Sequence, residues 1–298
     1  MIDIFLIGGS TALGKNFQRL ILQKELKVNL INKSRKNQGL NYFDLNNPES
    51  FKSIEFKRPC LIINFGPLWL FTKFISHLDI SNDFRSNMVK AILCTSSSSI
   101  LSKRFSGSIF DKELVKNLKD SENIIVDFCL KHRITYQIVR PSLIYSSIYS
   151  KINDKNIRLL RNLMRIMPII LLPNNNGLRQ PIHACELAKY FINLVEKIMN
   201  KNPNHHFKSI IEIGGDSYIS YIDIFYTIRE KVTKKDPAKY CFIVSIPDRL
   251  FYLACCPIIL ISPKIYFAIL RISSDLAGFN KVSELLNEKS KEFPVLEN

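Results

Sequence analysis

An apolar run followed by a glycine turn lies near the start of the chain and constrains its fold most. Residues 4–15 read IFLIGGSTALGK, which is a buried-strand pattern, then the spacing Gly8-x-x-Thr11-x-x-Gly14, then a helix. The first glycine permits a tight turn out of the strand, and the last lets the helix pack on the sheet. This layout predicts a dinucleotide-binding loop made of Gly8, Gly9, Ser10, Thr11, Ala12, Leu13 and Gly14.

Thr11 stands where such loops usually carry a glycine that lets the pyrophosphate approach the backbone. Its side chain predicts one of two outcomes: displaced phosphates, or a hydrogen bond from the hydroxyl to a phosphate oxygen. The alternative for the whole loop is a strand-to-helix turn that binds no ligand.

Apolar strands alternate with amphipathic helices through the first half of the chain. Strands are predicted at residues 2–8, 28–32, 42–43, 60–66, 91–99 and 135–142, and a long helix at 112–132. Repeated strand-helix-strand units indicate an α/β fold, a Rossmann-like doubly wound parallel sheet. The domains predicted are a dinucleotide-binding domain at 1–145, with return segments later in the chain, and a smaller interleaved C-terminal α/β lobe at 146–298.

The chain of 298 residues carries a formal net charge of +16. The lysines are scattered and no recognition motif accompanies them, so we expect a solvated basic surface and no nucleic-acid partner. Seven cysteines without a CxxC pair, and a start that enters a strand directly, indicate reduced thiols and a cytoplasmic protein. No His, Cys, Asp or Glu spacing predicts a metal site.

Residues 250–270 read LFYLACCPIILISPKIYFAIL, which approaches the length of a membrane span. Pro257, Pro263 and Lys264 interrupt the run, so we interpret it as two short buried helices around a proline-rich turn. The alternative is a peripheral membrane contact through residues 250–270.

The residues after the second strand indicate which dinucleotide is preferred. An NAD site usually has a carboxylate there for the ribose hydroxyls, whereas this chain has Asn32, Lys33, Ser34 and Arg35. Arg35, with Lys33 or Ser34, suits a 2′-phosphate, so NADP(H) is favoured over NAD(H). The alternative is an exposed basic turn.

The carboxyl ends of parallel strands meet at one edge of a sheet, where ligands bind. This edge adds candidate cofactor-binding residues from the later loops, namely Asp44, Leu45, Phe65, Gly66 and Pro141. A carboxylate at Asp44 suits the adenine amino group. The alternative at this turn is helix capping by Asn46 or Asn47.

Eight segments together resemble an extended short-chain dehydrogenase/reductase of the NAD-dependent epimerase/dehydratase family. In family order they read IGGSTALG, DLNNPESF, IINFGPLWLF, AILCTSSSS, YQIVRPSLIY, NDKNI, GLRQPIHACELA and IEIGGDSYISYIDIF, and they span nearly the whole chain. RPSLIY and RQPIH are the most specific, and GPLWLF is similar to a bacterial subgroup described as nucleoside-diphosphate-sugar epimerases. The resemblance implies an N-terminal NAD(P) domain and a C-terminal lobe for a nucleotide sugar.

The resemblance also implies roles for individual residues. Ser98 matches the family's substrate-polarising serine or threonine, and Arg179 matches an arginine that contacts the nucleotide diphosphate. Asn156 is a further substrate-facing candidate. The respective alternatives are a turn-capping serine, an exposed loop arginine and a helix-start residue. His183 is expected to pack under the following helix.

The family's Tyr-x-x-x-Lys pair is missing. Its spacing places both side chains on one helix face, where the lysine charge lowers the tyrosine pKa for proton transfer. None of the eleven tyrosines here has a lysine four residues later. If Glu122 is the family's helix glutamate, the lysine and tyrosine positions fall on Leu118 and Leu114. Lys103 or Lys112 and Tyr145 are the candidate replacements.

Two functions therefore remain open. The first is an NAD(P)-dependent oxidoreductase or epimerase-like protein that acts on a nucleotide sugar. The second is a catalytically inactive dinucleotide-binding protein with a structural, sensor or partner-binding role. The oligomeric state, the sugar and the proton donor are not predicted.

Overall fold

The computed structural model describes residues 2–35, 41–81, 84–146, 156–200 and 210–295. The chain divides into two compact units, each built from separate stretches of sequence. Unit 1 contains residues 1–100, 115–141 and 185–212, and unit 2 contains residues 101–114, 142–184 and 213–298. The chain thus leaves unit 1 after residue 100, returns to it at 115, leaves it again after 141, and returns once more for residues 185–212.

The strands in chain order are β1 (Ile2–Ile7), β2 (Val28–Lys33), β3 (Cys60–Asn64), β4 (Val89–Thr95), β5 (Thr135–Pro141), β6 (Ile144–Tyr145), β7 (Ile169–Pro173), β8 (Leu178–Arg179), β9 (Ile182–His183), β10 (Ile210–Gly214), β11 (Ile219–Ser220), β12 (Phe242–Ile246) and β13 (Asn280–Lys281). The α-helices are α1 (Ala12–Gln23), α2 (Leu68–Ile80), α3 (Ser99–Ser102), α4 (Ile109–Lys131), α5 (Ile157–Ile166), α6 (Ala184–Met199), α7 (Tyr221–Lys231), α8 (Asp248–Cys255), α9 (Ile258–Ile261), α10 (Pro263–Leu270) and α11 (Val282–Leu286).

The main sheet confirms the predicted fold class. Among the described residues it has seven strands in the order β13-β10-β5-β4-β3-β1-β2. β1 pairs in parallel with both β2 and β3, so the strand order reverses beside β1. Strands β1 and β3 are almost wholly buried, because a parallel sheet covered on both faces requires continuous apolar runs such as IDIFLI and CLIIN. The point of reversal is where ligands bind in such sheets.

The strand predicted at residues 42–43 does not form. Tyr42 makes only an isolated bridge to Ser34, beside β2. Phe43 is buried against Phe74, with ring centroids 5.4 Å apart. The backbone then turns, because the Asp44 carboxylate accepts a hydrogen bond from the Asn46 amide at 3.0 Å. This turn leaves too little extended chain for a ladder.

Unit 2 has its own apolar core. Its centre is formed by β7, β12, α5 and α7, with Leu160, Ile170, Ile224 and Phe225 among the buried side chains. β7 and β12 pair in parallel, with Ile170 opposite Ile243. Strand β7 was not predicted, since IILLP is too short to distinguish from a buried loop by periodicity.

The prediction of two short buried helices at 250–270 is wrong. The segment forms three helices, α8 to α10, and several of their apolar side chains are exposed: Leu250, Leu253, Ile259, Leu260, Ile261, Ile265 and Leu270. Pro257 is the N-cap of α9, and Pro263 is the first residue of α10 after the extended Ser262, because a proline has no N–H for a helix interior and is accommodated at a helix start. Among the described residues, no helix has the length and hydropathy needed to cross a bilayer.

Candidate functional site

The turn after β1 brings three glycines of unit 1 into close contact. Gly8 has φ = +82°, and a Cβ built on it would lie 2.6 Å from the amide nitrogen of Gly66. A Cβ on Gly14 would lie 2.4 Å from the Gly8 carbonyl oxygen. Since real Cβ atoms do not approach that closely, no side chain fits at either position. The loops after β1 and β3 therefore meet at the start of α1.

Thr11 is the N-cap of α1. Its hydroxyl donates to the Gly8 carbonyl at 2.8 Å and accepts from the Gly14 amide at 3.0 Å. A hydroxyl has a single hydrogen to donate, so in this geometry Thr11 has none left for a phosphate oxygen. Of the two outcomes predicted for Thr11, the phosphate hydrogen bond would require the hydroxyl to give up the Gly8 carbonyl, and both outcomes stay predictions. The amides of Ala12 and Leu13, in the first helical turn, stand at the positive end of the helix dipole.

A side-chain clamp that sequence reasoning missed supports the loop. The Gln18 amide nitrogen donates to the carbonyls of Gly9 at 2.7 Å and Gly14 at 3.1 Å. Its oxygen accepts from the Asn32 amide nitrogen, at the end of β2, at 2.9 Å. The sequence signal that could have predicted this clamp is a glutamine one helical turn after Gly14. The clamp ties the glycine turn to β2, and it engages the Asn32 side chain at the position where an NAD site usually has a ribose-binding carboxylate.

The basic segment at the end of β2 contains one buried cation, Lys33, and one exposed cation, Arg35. Lys33 is 3% exposed, and burial lowers the pKa of its ammonium group. Ser34 holds the neighbouring chain through backbone hydrogen bonds with Asn41 and Phe43. Arg35 is exposed. Of the three basic-turn candidates, Arg35 is therefore the one whose cation is available to an anion in solvent.

The loop after β3 places Gly66 beside Leu45. A Cβ on Gly66 would lie 3.7 Å from Leu45 Cδ1 and 3.2 Å from Asn64 Oδ1. The fully buried Asn64 side chain holds this loop by accepting from the Gly66 amide at 3.1 Å and donating to its carbonyl at 3.2 Å. Asp44 is half-buried next to Leu45. The structure thus brings Gly8, Gly66 and Leu45 together, as the topology predicted.

Phe65 and the Asn47 turn show packing and capping roles. The Phe65 ring is 6% exposed and packs edge-to-face on Phe17 and Phe191 at 5.6 and 4.8 Å. Its backbone, like that of Gly66, lies in the loop that Gly8 contacts. Asn47 caps the short helical turn after it by accepting from the Glu49 amide at 3.2 Å, which is the capping role considered for this turn.

The serine run follows β4 at the same edge of the sheet. The amides of Ser96 and Ser98 donate to the carbonyls of Val139 and Pro141 at 2.7 and 3.1 Å, which ties the run to β5. The Ser98 residue is half-buried. Ser96 Oγ is buried and has no hydrogen-bond partner among the described residues. A buried hydroxyl without a partner is costly, so Ser96 Oγ calls for a partner beyond the described protein atoms, which a bound water or a ligand atom would supply.

Helix α4 carries leucines where the resemblance implies the catalytic pair. Leu118 is 3% exposed and Leu114 is half-buried. One turn later, Glu122 is 2% exposed and accepts two hydrogen bonds from the Arg140 guanidinium, at 3.0 and 2.6 Å. Arg140 also donates to Glu212 at 2.8 Å, and these carboxylates raise its pKa. This face of α4 is thus organised for packing and ion pairing.

The proposed replacements for the missing pair have structural partners. In unit 2, Lys103 lies 3.0 Å from the carboxylate of Asp111, which also accepts from Ser106 and Arg271. Lys112 is exposed. Tyr145 is 1% exposed, and its oxygen accepts from the Val295 amide at 2.9 Å. Tyr145 therefore packs in the core of unit 2, and its replacement of the catalytic tyrosine stays a prediction.

Arg179 of unit 2 is 3% exposed and is bonded to the backbone. Its guanidinium donates to the carbonyls of Leu178 at 2.9 Å, Arg271 at 2.8 Å and Ile272 at 3.3 Å, as well as to that of Ser274. It also stacks over the Tyr221 ring, 4.8 Å from the centroid. Burial lowers the pKa of this guanidinium. The diphosphate contact of Arg179 stays a prediction.

The other two unit 2 candidates occupy helix ends. The Asn156 amide donates to the Ile144 carbonyl at 2.8 Å and precedes α5, so it is a helix-start residue whose contact with a substrate stays a prediction. His183 is 1% exposed and packs on Tyr145, with ring centroids 5.0 Å apart. Within the described residues, no group of three or more His, Cys, Asp or Glu side chains is arranged to hold a metal ion.

Comparison with known proteins identifies the fold. No family model and no curated protein sequence matches the chain. A GDP-mannoheptose C4 reductase from Campylobacter jejuni with NADP bound is similar at TM-score 0.60 and 13% identity, over 83% of this chain and 87% of that one. A GDP-L-fucose synthetase from Naegleria fowleri bound to NADP gives 0.58 and 13%, over 83% and 80%.

A third solved structure, a dTDP-glucose 4,6-dehydratase from Bacillus anthracis in complex with NAD, gives TM-score 0.56 and 16% identity over 84% of this chain and 86% of that one. At these identities the comparisons establish the fold. The chain shares its fold with these three solved enzymes, which agrees with the Rossmann-like α/β fold that the sequence predicted.

Proposed function

We propose that this chain binds NADP(H) at the carboxyl ends of β1 to β4 and acts on a nucleotide sugar as an oxidoreductase or epimerase-like enzyme. The observation that carries the proposal is the glycine cradle, in which Gly8 and Gly14 leave room for no side chain. A turn this tight at the point where the strand order reverses is what a dinucleotide pyrophosphate requires. The three solved structures compared above contain NADP or NAD, which supports the same class of ligand here.

The residues at this edge fit the parts of the cofactor. The first-turn amides of Ala12 and Leu13 would bind the pyrophosphate, since the positive end of a helix dipole attracts anions. Arg35 would pair with a 2′-phosphate, and Asp44 and Leu45 would border the adenine. The nicotinamide supplies hydride chemistry when it is bound. The chain's own contribution is to orient the dinucleotide on the loops that follow Gly8 and Gly66.

Each unit contains its own candidate substrate residues, and those of unit 1 lie in the serine run. Ser98 is proposed to donate a hydrogen bond to a sugar oxygen, with Asn156 and Arg179 as the further substrate candidates. The buried, partnerless Ser96 hydroxyl supports a polar ligand at this run.

The second candidate function is a dinucleotide-binding protein without catalysis. The specific observation that favours it is the 3% exposed Leu118, which occupies the position implied for the catalytic lysine. A buried leucine transfers no proton. In this role the chain would retain the cofactor as a structural or sensed ligand.

Thermal unfolding with added ligands tests the proposal. A ligand that binds only the folded state at about 100 times its Kd stabilises by about 2.7 kcal/mol, which corresponds to a Tm rise of roughly 5–10 °C. We expect NADPH to raise the Tm more than NADH at equal concentration. Arg35→Glu should abolish this difference. The matched control is Arg58→Glu, because Arg58 is also exposed but precedes β3, at the opposite edge of the sheet from the glycine loop.

The outcomes separate the candidates. If neither dinucleotide raises the Tm, cofactor binding is refuted. A rise with NADPH and a further rise with UDP- or GDP-sugars, together with turnover, supports the enzyme. A rise with NADPH, no effect of any nucleotide sugar and no turnover supports the non-catalytic protein.

A further inference from the structure

Helices α8 to α10 expose large apolar side chains on successive turns. Leu253, Leu260 and Ile261 are 69%, 88% and 84% exposed, and Leu250 and Ile265 are 58% and 55% exposed. Single exposed leucines are common. A run of exposed apolar side chains on adjoining short helices, however, forms a patch of a kind that soluble monomers rarely leave exposed. Helix α8 is anchored to the rest of unit 2, since Phe251 is 5% exposed and the Tyr252 hydroxyl is 2.6 Å from that of Ser273.

A second exposed apolar segment of the same unit packs against α10. Phe105 is 86% exposed, and Ile109 and Phe110 are 79% and 57% exposed. Between them, a Cβ built on Gly107 would lie 3.1 Å from the ring of Phe267, so this segment touches α10 closely. The ion pair between Asp111 and Arg271 fixes it there. We call the two segments, residues 104–110 and 248–271, the apolar surface of unit 2.

The charges beside this surface are mainly positive. Residues 248–271 contain three basic side chains, Arg249, Lys264 and Arg271, against the single acid Asp248. Arg249 and Lys264 are exposed, and Arg104 is exposed with its guanidinium 4.4 Å from the Phe105 ring centroid. Asp248 is half-buried and accepts a hydrogen bond from the Asn175 amide at 3.0 Å. Exposed apolar groups thus alternate with exposed cations.

The combination of exposed apolar groups and exposed cations indicates which kind of partner covers this surface. In a symmetric contact with a second copy, the same patch would meet itself and bring like cations together, which is unfavourable. An anionic bilayer instead accepts apolar side chains among its acyl chains and cations among its headgroups. None of α8, α9 and α10 exceeds eight residues, so they would lie in the interface plane without crossing the bilayer.

We infer that the apolar surface of unit 2 docks this protein peripherally on a bilayer rich in anionic phospholipid. Leu260 and Ile261 lead the insertion, and Arg104, Arg249 and Lys264 contact the headgroups. The inference does not depend on the proposed cofactor or substrate, because it rests on exposure and charge in unit 2 alone.

Flotation of the full chain with vesicles tests the inference. Vesicles of phosphatidylcholine alone are compared with vesicles of phosphatidylcholine and phosphatidylglycerol in equal amounts. We expect binding to the anionic vesicles, weak binding to the neutral ones, and release in about 1 M salt, where the screening length is roughly 3 Å. The double variant Leu260→Glu/Ile261→Glu should lower the partition coefficient at least about tenfold, since it removes two inserted apolar groups.

The matched control is Leu22→Glu/Ile80→Glu, because these residues of unit 1 are similarly exposed, at 76% and 80%. This control should bind as the wild type does. A charge variant, Arg104→Glu/Lys264→Glu, should lose anionic binding while the apolar side chains remain.

Three results would overturn the inference: no binding to anionic vesicles, an equal loss in the Leu22/Ile80 control, or binding that the Leu260/Ile261 variant leaves intact. Light scattering of the same variants tests the alternative, in which a second copy of the chain covers this surface. If the wild type is an oligomer that the Leu260/Ile261 variant dissociates, and vesicles are not bound, a second copy covers this surface and the lipid inference is wrong.

Discussion

The close approach of Gly8 to the loop after β3 gives a quantitative test of the glycine cradle. Gly8→Ala adds a methyl group that would lie 2.6 Å from the Gly66 nitrogen and 2.7 Å from the Phe65 carbonyl carbon. The positive φ of +82° costs an alanine about 1–2 kcal/mol. Displacing packed backbone costs about 1–3 kcal/mol in addition, as overpacking does. We therefore expect Gly8→Ala to lower the free energy of unfolding by about 2–5 kcal/mol.

Gly278→Ala separates the two contributions. Gly278 also has a positive φ, +91°, but a Cβ there would have no neighbour within 4 Å. Only the conformational cost of about 1–2 kcal/mol applies. Urea unfolding followed by circular dichroism measures both variants, with an unchanged slope against urea as the check that the unfolding reaction is the same. Equal losses for Gly8→Ala and Gly278→Ala would refute the close approach, and an NADPH-dependent Tm rise retained by Gly8→Ala would refute its role in binding.

Three further perturbations probe capping, ion pairing and pH. Thr11→Ala should cost about 1 kcal/mol in urea unfolding because α1 loses its N-cap, whereas Thr11→Ser should retain most of the stability. Arg140→Met should cost about 3–5 kcal/mol because it leaves the 2% exposed Glu122 without its cation, and the added change Glu122→Gln should recover part of that loss if the charge is the cause. Burial raises the pKa of Asp111, but its hydrogen bonds with Lys103 and Ser106 and the charge of Arg271 more than offset this, so its pKa lies below the usual 3.8. The ionised Asp111 carboxylate therefore stabilises the fold above that pH, and this stabilisation is lost as the pH falls below it. Asp111→Asn should lower the Tm at neutral pH and make the Tm fall less steeply on the acid side. A Tm profile that matches the wild type would contradict this assignment.

The elements most accurately predicted were those that local pattern determines. The runs IDIFLI and CLIIN form β1 and β3 because a parallel strand covered on both faces must be apolar throughout. The glycine turn followed from spacing alone, since only glycine tolerates the contacts at Gly8 and Gly14. The long helix predicted at 112–132 begins three residues earlier, at Ile109, because Ser108 and the segment before it hold its first turn.

The features that sequence reasoning missed depend on partners distant in the chain. Strand β7 exists because β12, more than sixty residues later, pairs with it. Residues 250–270 have the composition of core helices, and nothing local indicates that the rest of unit 2 leaves their apolar side chains uncovered. The Gln18 clamp likewise needs Asn32 at the end of the next strand. Periodicity reports which residues are apolar, whereas burial depends on what packs against them.

Arg179 shows why a motif match is weaker than a site. Residue type and order agree with the implied diphosphate ligand, and a guanidinium has five N–H donors. Here, however, the two Nη atoms donate to four backbone carbonyls, three of which lie in residues 271–274. A diphosphate could bind Arg179 only if residues 271–274 gave up their bonds to it, because the guanidinium is 3% exposed and both of its Nη atoms are already bonded to carbonyls. Substrate binding through Arg179 therefore implies a rearrangement of the chain that follows α10, and hydrogen exchange at the amides of residues 276–279 with and without a nucleotide sugar would detect it. Unchanged exchange in the presence of a bound sugar nucleotide would mean that Arg179 supports the fold of unit 2 and that other groups hold the substrate.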